Sequence, residues 1–166
     1  MNTIKELEDL QKEMQTWRRD IHAHPEIAFE EHRTAQVVAE KLESFGIEVE
    51  TGIAGTGVVG TLKKGTGNRS IGLRADLDAL LINEANEFEH KSKNPGKMHA
   101  CGHDGHTVML LGAAKYLAEK GNFEHFVSFL TGRSSLNKWI YHFGRAKLRR
   151  SKIGSVSAEQ PCFRPT

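Results

Sequence analysis

The sequence predicts an α/β fold with helices packed on a mixed sheet. Three observations carry this expectation. Two early segments repeat apolar residues every three or four positions, which is the helical period. Three short runs after residue 46 alternate or cluster β-formers between glycine-rich turns. A third helical segment is then followed by one more β-like run, so the order is ααβββαβ.

The first helix is read from Ile4, Leu7, Leu10, Met14, Trp17 and Ile21, with Thr3 and Glu6 as a capping box and Pro25 as the stop. The second runs from about Thr34 to Phe45, striped by Ala35, Val38, Leu42 and Phe45 and closed by Gly46. Residues 47–51 alternate with period two. Residues 57–62 and 70–74 flank a turn cluster at 63–68, and residues 82–97 form a polar loop. The third helix spans about Gly105 to Lys120, with Leu110, Leu111, Ala114, Leu117 and Ala118 on its buried side. His125 to Leu130 is a further strand candidate.

The chain has 166 residues, enough to bury a real core. Hydrophobic residues make up 38% and charged residues 27%, which argues against wholesale disorder. The longest apolar run, around Val108 to Leu111, is far too short to cross a bilayer. The N-terminus lacks a signal-peptide pattern, and two cysteines, Cys101 and Cys162, make no disulfide framework. The expected compartment is a reducing cytoplasm. The net charge of +2 conceals a swing: residues 124–166 hold eight Lys and Arg against two Asp and Glu, and residues 1–123 hold 15 against 19.

Chemistry concentrates in Met98-His99-Ala100-Cys101-Gly102-His103-Asp104-Gly105-His106, just before the third helix. Cys, His and Asp are donors for zinc and similar ions. Cys-x-His in an extended segment points both side chains to one side, while packing alone is the competing account of any single His or Cys. A second cluster, Leu73-Arg74-Ala75-Asp76-Leu77-Asp78-Ala79-Leu80, ends an apolar strand in two acids, two residues apart and so able to face the same way, well placed as ligands or as partners that orient a ligand histidine. A solvated strand end accounts for it equally well. The third, His22-Ala23-His24-Pro25-Glu26, closes the first helix, where histidine is favoured by the helix dipole.

Together with Trp17 to Ile21 and Thr107, these three segments in this order resemble the M20-type metallo-amidohydrolases, in the branch of hippurate hydrolases, N-acyl-amino-acid amidohydrolases and auxin-conjugate hydrolases. The resemblance covers about residues 14–123 and implies the N-terminal part of a zinc-peptidase-like catalytic domain. It implies hydrolysis of the amide bond of an N-acyl amino acid, assisted by a divalent metal pair, commonly zinc or manganese, and a glutamate base. Positions matching Cys101 and His103 are metal ligands in the family. Asp76 matches an aspartate near the metal centre and is assigned a supporting catalytic role. Assembly into homo-oligomers is expected of full-length relatives, and neither a membrane nor a nucleic acid is expected as partner.

The chain also departs from the family. It reads Leu81 where members carry proline after Asp-Ala-Leu, and no Phe-Gln-Pro-Ala-Glu-Glu string follows the third helix. Of later histidines only His125 and His142 remain. The expectation is weak metal binding and little or no activity for this chain. Residues 124–166 are expected to be an aberrant basic tail, read in a shifted frame: Thr131-Gly132-Arg133-Ser134 has codons that spell Pro-Ala-Glu one nucleotide out of register. Two other classes compete. One is a cysteine hydrolase with Cys101 as nucleophile and His103 or His24 as base. The other is a binding module whose Arg145, Lys147, Arg149, Arg150 and Lys152 meet phosphates while Trp139, Tyr141 and Phe143 stack on bases.

Overall fold

A computed structural model describes residues 5–132. The Thr3 cap, the basic run, the aromatic trio and the part of the 124–166 tail beyond Gly132 lie outside the described residues. The order within them is α1 (Lys5–Ala23), α2 (His32–Ser44), β1 (Glu48–Ile53), β2 (Gly57–Lys63), β3 (Ser70–Ala75), α3 (His103–Glu119) and β4 (Phe126–Thr131). The four strands form one mixed sheet in the order β1-β2-β4-β3. β2 pairs antiparallel with β1 and β4, whereas β3 and β4 run parallel with α3 as the crossover between them. Residues 126–131, which fall in the expected tail and overlap the strand candidate at 125–130, form an inner strand that pairs on both sides.

Register explains the core. Leu62 faces Val127, Val58 faces Thr131, and Phe129 sits between Gly60 and Leu73, so these residues share one face of the sheet. That face meets Ala35, Val38, Ala39 and Leu42 of α2 and Leu110, Leu111 and Ala114 of α3 in a single buried cluster. α1 packs outside, against α3, and Trp17 reaches Phe45 with ring centroids 6.0 Å apart. Burying a Leu or Phe side chain contributes roughly 1.5–3 kcal/mol, so the stripes read from sequence are what hold α2 and α3 to the sheet.

The ends of α2 follow from two different causes. At its C-terminus Gly46 takes φ +74°, the Gly46 amide donates to Glu43 O at 2.9 Å, and the Ile47 amide donates to Leu42 O at 3.1 Å. This is a Schellman closure, sealed by contact between two core residues, Leu42 and Ile47. At its N-terminus the helix begins at His32, two residues earlier than its apolar stripe suggests. The Glu26 carboxylate accepts from the Arg33 amide (3.0 Å), the Thr34 amide (2.7 Å) and the Thr34 hydroxyl (2.8 Å). It satisfies amides that a helix start leaves without partners.

The long connection 76–102 is pinned rather than loose. Ala79 pairs with Ile27, Leu80 pairs with Met98, and the Lys93 amide donates to Ala23 O at 2.8 Å. Because β3 and β4 are parallel, their C-terminal ends lie on one side of the sheet. α3 starts at that same side, where ligands bind in open α/β sheets. No helix of the described residues is long and apolar enough to cross a membrane.

Candidate metal centre

The site forms where β3 ends and α3 begins. Thr107, in the second turn of α3, donates its hydroxyl to Asp76 O at 3.0 Å and ties the two elements together. Gly102 precedes the helix with φ +78° and no atom near a would-be Cβ. This left-handed residue turns the chain between Cys101 and His103, so the straight Cys-x-His geometry expected of an extended segment is replaced by a bend.

His103 is held by one residue. Its Nδ1 lies 2.8 Å from the carbonyl oxygen of Asp78 and 3.0 Å from that residue's Oδ1. Both atoms accept, so Nδ1 carries the proton and donates, and Nε2 is left as the nitrogen with a lone pair. Cys101 is a free, exposed thiol two residues away. Asp76 is placed differently. Its carboxylate forms an ion pair with Arg74, half-exposed, and its contact with α3 is made by its main-chain carbonyl. Of the two acids, Asp78 is the one brought to His103. β3 stops at Ala75, so the alternation that would have turned both carboxylates the same way no longer applies.

Behind this pair lies a buried charged group. His22, at the end of α1, places Nδ1 2.9 Å from Asp104 Oδ2 and Nε2 3.1 Å from Glu84 Oε1. Arg18 Nε donates to the same Asp104 oxygen at 3.2 Å. Glu84 also accepts from the Ser92 amide and from Asn86 Nδ2, at 2.5 and 2.8 Å. Burial works against a charge on His22, but the two carboxylates outweigh it and its pKa lies above the ordinary value. Burial likewise opposes the Glu84 carboxylate, yet Asn86, the Ser92 amide and His22 bring it down to about 2. Asp104 is lowered too, against its burial, by His22 and the Gly105 amide. His99, whose ring nitrogens find no protein partner, is pushed down to about 4 by burial. Nothing in the sequence marked Glu84 out from the polar loop around it.

His24 serves its own helix. Its Nδ1 bonds the carbonyl oxygen of Asp20 at 2.8 Å.

The donor chemistry fits part of a metal site. An imidazole with its far nitrogen anchored, beside a free thiol, is what zinc-type ions take. Among the described residues no group of three or more His, Cys, Asp or Glu is arranged to hold an ion. Cys101 and His103 therefore stand as two donors.

Residues 72–130 match the model of peptidase family M20/M25/M40. The chain is 55% identical over 120 residues to the hippurate hydrolase of Campylobacter jejuni, covering 72% of this chain and 31% of that protein. It is 50% identical over 121 residues to an N-acyl-L-amino acid amidohydrolase of Geobacillus stearothermophilus, covering 70% and 33%. A solved structure from Bacillus subtilis, described as a dinuclear metal binding peptidase from the M20 family, superposes with a TM-score of 0.71 at 35% identity, over 75% of this chain and 35% of that one. The chain thus spans about a third of the length of the relatives it matches.

Proposed function

We propose, from the premise that this chain belongs to peptidase family M20/M25/M40, that it is the metal-binding N-terminal portion of a hydrolase acting on the amide bond of N-acyl amino acids. The observation that carries the reading is His103, with Nδ1 anchored on Asp78 and Nε2 left to coordinate, two residues from a free thiol. The names of the two similar hydrolases supply the substrate class.

In this reading the Cys101 thiolate and His103 Nε2 hold a divalent ion, zinc ahead of manganese because a thiolate is a soft donor. A bound ion of this kind acidifies water and polarises an acyl carbonyl. Asp78 keeps the His103 proton on Nδ1 and fixes the plane of the ring. Asp76, just past the end of β3, takes a supporting role, and Arg74 shares its charge. An exposed thiol ligand survives best where thiols stay reduced, which favours the cytoplasm. Homo-oligomers of the longer relatives belong to the same proposal.

A catalytic zinc takes three protein ligands and a water, and the pair supplies two. The sequence also holds no Pro-Ala-Glu-Glu string. The 166-residue chain is therefore expected to bind Zn²⁺ weakly in equilibrium dialysis and to lose that binding in Cys101→Ala/His103→Ala. With zinc or manganese added, it is expected to release no amino acid from N-benzoyl or N-acetyl substrates, since loss of a general base alone costs on the order of 10²–10⁴-fold. Unchanged stoichiometry in the double variant would remove the ligand assignment. Rapid turnover would remove the expectation of inactivity.

A further inference from the structure

We propose that His22, with Glu84 and Asp104, is a positioning bridge that sets the placement of Cys101 relative to His103, and through it the affinity of that pair for a divalent ion. The inference rests on the reading of those two residues as ligands.

Asp104 follows His103 directly and lies in the first turn of α3. Whatever fixes Asp104 fixes the side of the helix from which His103 projects. His22 fixes it from α1, 82 residues away in sequence, and its other nitrogen reaches Glu84, 62 residues away. One imidazole thus joins three separate segments: the end of α1, the start of α3, and the connection that arrives at Cys101. Glu84 passes the constraint into that connection through the Ser92 amide. The ring has no freedom left, because each nitrogen donates to a carboxylate on an opposite side.

Burial makes the arrangement informative. The side chains are 10% exposed for His22, 3% for Glu84 and 0% for Asp104. Ionic groups buried this deeply seldom add net stability over apolar residues of the same volume, whereas breaking such a group is costly. Their best-attested use is to hold a unique register. Here the register matters because Gly102, the hinge between the ligands, has no side chain to restrain it. None of the three residues has to touch the ion to act in this way.

The probe is Co²⁺ added to the 166-residue chain, followed by thiolate-to-cobalt absorption in the near ultraviolet. The parent chain is expected to give a band that Cys101→Ser removes. His22→Gln is expected to keep its far-ultraviolet dichroism yet bind Co²⁺ on the order of ten- to a hundredfold more weakly, as loss of an outer partner does at other metal sites. Glu84→Gln is expected to shift affinity in the same direction, and it serves if His22→Gln fails to fold. Val38→Ala, a cavity in α2 remote from the bridge, is expected to lower the melting temperature without changing Co²⁺ affinity. A folded bridge variant with the parent's affinity overturns the inference and leaves the ligand reading standing. So does an equal loss in Val38→Ala. If the parent gives no band that depends on Cys101, the ligand reading falls and takes the inference with it.

Discussion

The Nδ1 proton of His103 has two acceptors on one residue, the carbonyl and the carboxylate of Asp78, at 2.8 and 3.0 Å. Main chain and side chain therefore do the same work, and removing the carboxylate leaves the tautomer intact. Asp78→Ala is expected to weaken Zn²⁺ binding by about tenfold, the lower end of the range for lost outer partners, with stoichiometry unchanged in equilibrium dialysis. A hundredfold loss would mean that the carbonyl contributes nothing. At this scale the cluster around Cys101 and His103 stood out in the sequence by its density of Cys, His and Asp. The choice between Asp76 and Asp78 was not legible there, since strand periodicity decides orientation only while the strand lasts, and it ends at Ala75.

Helix α2 shows how far local rules reach at the level of an element. Its C-terminus was readable from Gly46, because a left-handed closing residue is a local requirement that glycine meets without strain. Its N-terminus was not, because the cap comes from Glu26, which lies outside the helix and is brought back by the turn at 27–30. Glu26 ends the His-Pro-Glu string that resemblance had marked, and its visible work is to satisfy two amides and a hydroxyl. Glu26→Ala is expected to destabilise the chain by roughly 1–2 kcal/mol, the range for strong helix caps. Urea unfolding would show this as a lower midpoint with an unchanged slope. A loss below a few tenths of a kcal/mol would assign those amides to water instead.

For the whole molecule, the order ααβββαβ followed from periodicity, and the sense of the strand pairing is seen only in the fold. The tie between α1 and α3 through His22 did not follow from periodicity, because contacts between groups 82 residues apart leave no local trace. That tie gives the chain a pH signature. Glu84 and Asp104 have lowered pKa values, so their contribution is complete above the unfolded carboxylate value, near 4.3, and fades as pH falls, for Glu84 toward about 2. His22 is raised, so its contribution is complete below the unfolded histidine value, near 6.5, and is lost as pH rises through its folded pKa. The Arg18 charge beside Asp104 and the neighbouring His90 and His99 rings share this environment. His99 itself, lowered by burial, has the opposite slope, and it cancels in a difference between variants. The gap in stability between the parent and His22→Gln is therefore expected to peak at about pH 4.5–6.5 and to narrow on both sides, as thermal melts across pH would record. A gap that widened above pH 7 would show that His22 is neutral in the fold.

One border of the sheet has a further consequence. β3 is the last strand in the order β1-β2-β4-β3, and Ile71, on the helix-covered face of that strand, is 60% exposed. Among the described residues no strand lies beyond β3, so its outer row of main-chain donors and acceptors runs beside an exposed aliphatic side chain, the pattern that other chains pair with. A second chain that lays an extended segment along this border would meet main-chain partners and an apolar contact together.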